Sequence, residues 1–172
     1  MFVTRIRAAR AALCATIGGA ALVLSAATSF PSPSFKGGPW MSIEAPVNPY
    51  DSAARGAAFV VHTFHHAVPT TLDLEGRAEG LVDGQRRTVP LSLSAARTGT
   101  FAVRNAWGTK GTWSVVLIAT QPAPRASIEA VVDIAADGSV ARVSMPQRML
   151  SAAEIDQGLR ARAGAPTVVG GR

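Results

Sequence analysis

Between Trp40 and Met145 apolar and polar residues alternate with a period of two, and Pro, Gly, Asn and Asp interrupt the alternation at regular intervals. Trp40 to Glu44 reads as a short first strand, ended by Pro46 and the Asn48-Pro49 pair. Ala57 to His66 is aromatic and β-branched, which favours a strand over a helix, and Pro69 closes it. Thr71 to Gly80 places Leu72, Leu74 and Ala78 on one face and Asp73, Glu75, Arg77 and Glu79 on the other, the pattern of a half-buried antiparallel strand. Asp83-Gly84 is a two-residue hairpin signal. Thr88 to Ser94 then returns with Val89, Leu91 and Leu93 on one face, and Pro90 marks an edge strand. Ile128, Ala130, Val132 and Ile134 alternate with Glu129 and Asp133, and Asp137-Gly138 turns the chain into a last strand from Ser139 to Met145.

The centre of this pattern is Thr98 to Thr120. It reads as two strands joined by a Gly-rich turn, with Trp107 and Trp113 bracketing the turn and able to bury large apolar areas. Trp113, Val115 and Leu117 alternate with Ser114, Val116 and Ile118, so the second strand is apolar on both faces and belongs in the middle of a sheet. The fold class expected is all-β, an antiparallel β-sandwich of about seven to nine strands over residues 40–146.

The pattern changes after Pro146. Ser151-Ala152-Ala153-Glu154 is a capping box, followed by Ile155, Leu159, Arg160 and Arg162, which predicts a short helix within residues 147–163. Its apolar face is thin, so loose docking or fraying is expected, with a disordered tail over 164–172. At the other end, basic residues in Met1 to Arg10, an apolar run from Ala11 to Leu24 and small residues around Ala27 and Ser29 form the three parts of a secretory signal peptide over residues 1–29. The alternative is an uncleaved anchor, but the run is short and rich in Ala and Gly, and spans a bilayer poorly. Residues 30–39 form a Pro/Gly/Ser linker. The expected location is therefore the periplasm or the extracellular space, with membrane contact only through an uncleaved signal.

Composition narrows the function. The 172 residues are 48% hydrophobic and 16% charged, as in a globular domain. Losing Arg5, Arg7 and Arg10 with the leader would halve the net charge of +6. The remaining arginines are scattered apart from Arg86-Arg87, which argues against a nucleic-acid binder. The single cysteine, Cys14, lies in the leader, so the exported domain has neither disulfide nor thiol chemistry. There is no Gly-x-Ser-x-Gly and no His-Glu-x-x-His. The acidic stripe of Asp73, Glu75 and Glu79 beside Arg77 reads as a solvated face or as cross-strand ion pairs. No catalytic residues and no cofactor are expected.

His62, His65 and His66 are the only histidines, and the cluster suggests a Cu or Zn site. On a strand, however, His62 and His66 share a face about 13 Å apart, and His65 and His66 point to opposite faces. A site would need a partner from another strand, such as Glu75, Asp73 or Met41. Met145 and Met149 read as packing residues.

Gly99-Thr100-Phe101, Trp107 and Gly111-Thr112-Trp113-Ser114-Val115 resemble the Gly-x-Tyr/Phe … Gly-x-Trp hairpin of the YtkA-like (FixH-like) domains, over about Ala57 to Thr120. The resemblance implies an exported or membrane-tethered immunoglobulin-like sandwich and fixes no site. Related copper-carrying sandwiches begin their mature chain with a histidine ligand, and none stands near the start of the expected mature chain, so that ligand set does not carry over. The expected function is a non-catalytic binding or scaffolding domain of the bacterial cell envelope. Its partner would be another envelope protein or a ligand, held on a surface near Trp107, Lys110, Trp113 and Pro90. The alternative is a metal-handling domain built on the histidine strand.

Overall fold

The computed structural model describes residues 38–123 and 125–164. The expected leader, the linker before Gly38 and the tail beyond Gly164 lie outside the described residues. In chain order come β1 (Trp40–Glu44), a short 3-10 turn (Ser52–Ala54), β2 (Phe59–His65), β3 (Val68–Pro69), β4 (Asp73–Val82) and β5 (Gln85–Pro90). Then follow β6 (Ala95–Arg97), β7 (Thr100–Val103), β8 (Thr112–Gln121), β9 (Ala126–Ile134), β10 (Val140–Ser144) and α1 (Ala152–Ala163). The strands form two antiparallel sheets. The first has the order β1-β2-β7-β6, with β3 against the end of β2, and the second has the order β10-β9-β8-β4-β5.

The period-two pattern faces the sheets toward each other. Met41, Phe59, Val61, Phe101 and Val103 from the first sheet share one core with Leu74, Ala78, Val115, Leu117, Ala130 and Val132 from the second. Both expected hairpins form: Val82 pairs with Gln85 around Asp83-Gly84, and Ile134 pairs with Val140 around the turn that holds Gly138. Pro90 ends β5, which is an edge strand as its missing donor requires.

The expected hairpin over Thr98–Thr120 is not one. β7 pairs with β2 and β6 in the first sheet, whereas β8 pairs with β4 and β9 in the second. The 104–111 connection crosses from one sheet to the other at the end of the sandwich, a gap of about 10 Å that a tight turn could not span. Trp107 in this crossover is only 4% exposed and packs on Phe59, with ring centres 6.3 Å apart. Trp113 lies over the backbone of Gly80, its cross-strand partner. A β-carbon at Gly80 would fall 2.3 Å from the indole, so the close approach requires glycine there.

β8 is central, and its second apolar face has a cover. Val116 on β8, Val131 on β9 and Leu81 on β4 form a smaller core with Ile155 and Leu159 of α1. The Ser151–Glu154 capping box starts this helix, with the Ser151 hydroxyl accepting from the Glu154 N–H and the Glu154 carboxylate accepting from the Ser151 N–H. The helix does not fray: Leu159 is fully buried.

Three carboxylates are buried on this outer face, and each is met. Glu79 accepts from Arg77 Nε at 2.8 Å, Arg86 at 3.2 Å and the Thr88 hydroxyl at 2.7 Å. Glu129 accepts the Leu150 N–H at 2.7 Å, at the entry to the helix. Asp133 accepts from Ser114 at 2.8 Å and from Arg142 at 2.9 Å, and is ion-paired to Arg162 of α1 at 3.2 Å. Arg162 also donates to the Trp113 carbonyl and to the Ser114 hydroxyl. Of the acidic stripe, Glu79 is the cross-strand ion-pair member, 4% exposed and paired to Arg86 on β5. Asp73 and Glu75 remain exposed.

Burial alone would push the Glu79 carboxyl up, but the hydrogen bonds from Thr88, Arg77 and Arg86 and the charge of Arg86 outweigh it and hold the group below the ordinary carboxylate range. A lowered folded value means the ionised group stabilises the fold above that range, and the contribution is lost as pH falls through the folded value. Glu79→Gln is expected to cost about 2 kcal/mol at neutral pH. The gap from the parent protein should narrow as pH falls through the lowered Glu79 value, read from urea melts across a pH series. Leu159→Ala should cost about 2–5 kcal/mol in the same melts, because it empties the contact that seats the helix; a change within error would mean that the helix is not docked.

Candidate functional site

The outer faces of the two sheets differ. The second is covered by α1. On the first, the Ser52–Ala54 turn lies against β6 and β7. Asp51 holds the turn there, capping it through the Ala53 N–H at 3.0 Å and accepting a two-pronged bond from Arg97 at 3.0 and 2.7 Å. On the β1–β2 half of this face stand Trp40, Ser42 and Glu44 from β1 with Val60, His62 and Phe64 from β2; Val60, opposite Glu44, is buried, while Trp40 at the other end is open to solvent.

The register explains the grouping. Trp40 stands opposite Phe64, and Ser42 opposite His62. Met41 and Ile43 point to the core, so their neighbours point out. Trp40 and Phe64 stack with ring centres 4.0 Å apart and planes within 10°. Trp40 remains 41% exposed. Trp40 opens the expected first strand, and its outward ring is not among the candidate surface residues. The signal was present: an aromatic residue in the outward phase of a strand whose inward phase is already apolar.

Beside the aromatic pair runs a polar line across three strands. The His62 Nε2–H donates to the Glu44 carboxylate at 2.9 Å, and Nδ1 faces the Thr100 hydroxyl at 3.4 Å. Glu44 also accepts the Asn48 N–H at 3.0 Å, which fixes the turn after β1. Hydroxyl, imidazole and carboxylate thus lie in a row, with Thr100 at its buried end. The row fastens β1, β2 and β7 together.

The three histidines separate into one and two. His62 belongs to the Glu44 row. His65 and His66 do not point to opposite faces as a continuous strand would require: their rings are 4.0 Å apart at 61°. The strand ends at His65, and His66 and Ala67 take left-handed φ values of 49° and 63° in a two-residue turn, with His65 paired to Val68. Alternation stops where the turn begins. The expected partners are elsewhere: Met41 is in the core, and Asp73 and Glu75 stand on the outer face of the second sheet. No group of three or more His, Cys, Asp or Glu side chains able to hold one metal ion occurs among the described residues. Met145 and Met149 are exposed rather than packed.

The surface expected near Trp107, Lys110, Trp113 and Pro90 is corrected in part. Trp107 and Trp113 are 4% and 6% exposed, so their rings are core and offer no contact area. Lys110 is exposed, and its carbonyl accepts the Trp113 Nε1–H at 2.8 Å. Pro90 is exposed at the far end of β5. The cleft at this end, between the crossover and the β9–β10 turn, holds about 80 Å³ and is lined by Trp107, Thr109, Trp113 and Asp137 among others. That is room for about two or three water molecules, too little for a ligand of any size.

Among the described residues, no helix is long and apolar enough to cross a membrane. Comparison with protein-family models found no match, and neither did comparison with curated proteins or with solved structures.

Two hydrogen bonds, first from His62 and then from the Asn48 N–H, hold the Glu44 carboxyl below the ordinary carboxylate range. Its stabilising contribution is complete above that range and is lost as pH falls through the folded value. In a carboxyl-carbon NMR titration, Glu44 should therefore titrate below a free glutamate side chain, and His62→Ala should move its midpoint back up. A midpoint indifferent to His62→Ala would mean that the pair is not formed in solution.

Proposed function

We propose that this chain is an exported, non-catalytic binding module of the bacterial cell envelope. Its immunoglobulin-like sandwich takes another envelope protein or a ligand on the β1–β2 face of the first sheet. The observation that carries this reading is the asymmetry of the outer faces. On one, α1 covers a second core and leaves the charged Asp73 and Glu75 exposed, whereas the other presents the Trp40–Phe64 stack to solvent. Large aromatics with one face free are the anchors that binding surfaces favour. Tyr50, in the turn after β1, is 94% exposed and adds a second aromatic contact near the same strand.

Three further features support the reading. The charged, apolar and small-residue segments of Met1–Ser29 have the order of a secretory signal. The Gly99-Thr100-Phe101 and Gly111-Thr112-Trp113 stretches resemble the exported YtkA-like domains. The one hydroxyl–imidazole–carboxylate row has its hydroxyl buried, which suits a strap between strands better than a reactive centre.

Two experiments test the proposal. A reporter active only outside the cytoplasm, fused after Ser29, should be active with the natural leader and inactive when Arg5, Arg7 and Arg10 become Glu. A photo-crosslinking residue at position 40 should capture a discrete partner in intact cells, and the same residue at Gln157, on the exposed side of α1, should not. Equal capture from both positions, or capture only from Gln157, would refute the face assignment.

A further inference from the structure

We propose that His65 and His66 form a two-imidazole site for a borderline divalent metal ion, with Cu²⁺ bound most tightly. The site rests on the β2–β3 tip alone and does not depend on the Trp40–Phe64 face being a binding surface.

The first observation is the juxtaposition itself. Neighbouring residues on a strand point to opposite faces, yet these two rings stand 4.0 Å apart, edge toward face at 61°. Two imidazoles on one ion, each bonded at about 2.0–2.1 Å and about 90–110° apart, place their ring centres about 4.5–5 Å from one another. The observed spacing is within about 1 Å of that. His66 is exposed and His65 half-buried, so both rings can turn about their side-chain torsions to bring one nitrogen each toward a shared ion.

The second observation is how the pair is made. A two-residue turn with both central φ values positive is the geometry that Asn-Gly or Asp-Gly builds without strain. This chain builds it that way once, at Asp83-Gly84, with φ values of 50° and 76°. At the β2–β3 tip it builds the same turn from His66-Ala67, at 49° and 63°. His tolerates that region better than most side chains, whereas Ala67 does not adopt it freely. The less favourable pair puts an imidazole where an Asn or Asp would otherwise stand, against the imidazole of the preceding residue.

The third observation is availability. His62 donates to Glu44 and faces Thr100. Neither His65 nor His66 has a hydrogen bond or ion pair to any described residue, so nothing must be broken before both rings turn to an ion. A donor set of two nitrogens without carboxylate or carbonyl oxygens selects Cu²⁺, Ni²⁺ or Zn²⁺ over Ca²⁺ or Mg²⁺, and Cu²⁺ stands highest among these in intrinsic affinity. Two protein ligands leave coordination positions for water or for a donor from elsewhere. That makes a loading site with exchange, distinct from the closed four-ligand cages of structural zinc.

The test uses the untagged chain, stripped of metal, titrated with Cu²⁺ and Zn²⁺ by calorimetry and examined as the Cu²⁺ form by electron paramagnetic resonance. One equivalent of Cu²⁺ should bind more tightly than Zn²⁺, with hyperfine splitting from two equivalent-type nitrogens. His65→Ala and His66→Ala should each weaken binding about a hundredfold, because each removes the intramolecular advantage of the second ring. His62→Ala should leave affinity unchanged. The double substitution His66→Asn with Ala67→Gly separates the metal site from folding: it should melt no lower than the parent protein and lose the site. The proposal is overturned by Cu²⁺ affinity undiminished in His65→Ala or His66→Ala, by a spectrum without nitrogen splitting, or by unchanged affinity in the Asn-Gly turn variant.

Discussion

A strand with apolar side chains on both faces cannot leave either face in water, and β8 imposes that condition on everything around it. Val115 and Leu117 are met by the first sheet; Val116, on the other face, requires a second cover. The cover is α1, and the surface it must match is mixed. Val116, Val131 and Leu81 are interleaved with Glu79, Glu129 and Asp133, all of them buried. Glu79 is met within the sheet by Arg77, Arg86 and Thr88, and Asp133 in part by Ser114 and Arg142, so the helix segment has Glu129 and the remaining valence of Asp133 to satisfy. Ile155 and Leu159 meet the apolar positions, the Leu150 N–H meets Glu129 and Arg162 meets Asp133, while Arg86 and Thr88 reach Glu79 from β5. The helix is therefore specified by polar geometry as much as by area. This is why a segment with so thin an apolar stripe is nonetheless seated.

With the apolar part of one outer face covered in this way, the β1–β2 half of the first sheet is where an aromatic pair is left at the surface. The aromatic pair and the Glu44–His62–Thr100 row occupy it side by side, the first offering apolar area and the second binding three strands into one rigid platform. At the tip of the same sheet the two remaining imidazoles stand apart from that row. The face and the tip differ in chemistry and do not share a side chain.

The strands were legible in the sequence because a buried face imposes period two, and both Asp-Gly turns were legible because left-handed backbone selects those residues. The assignment of strands to sheets was not. Phe101 and Trp113 follow the same alternation whether their strands are neighbours or lie in opposite sheets, and only the length of the 104–111 connection distinguishes the two cases. The turn at His66-Ala67 was hidden because it uses neither Gly nor Asn, so Ala57 to His66 read as strand to its end and the two imidazoles fell on opposite faces. Trp107 and Trp113 were recognised as large apolar rings but also taken for a surface. Burial of a tryptophan beside a Gly-rich loop depends on where the loop crosses, and local pattern does not encode that. Of the two readings of the acidic stripe, a solvated face or cross-strand ion pairs, Glu79 follows the second, and its burial depends on Arg86 and Thr88 on the neighbouring strand and on α1 more than seventy residues further on.

The crossover that carries the chain from β7 to β8 also governs how the domain assembles. Asp73 must find Thr120, and Phe59 must find Val103, before either sheet has an interior. Such distant pairings bring late rewards for an early loss of chain entropy, and chains that depend on them collapse to the native arrangement slowly. Wiring of this kind leaves most of the domain's reward to the last pairings that form, so neither sheet stands as a stable piece without the other.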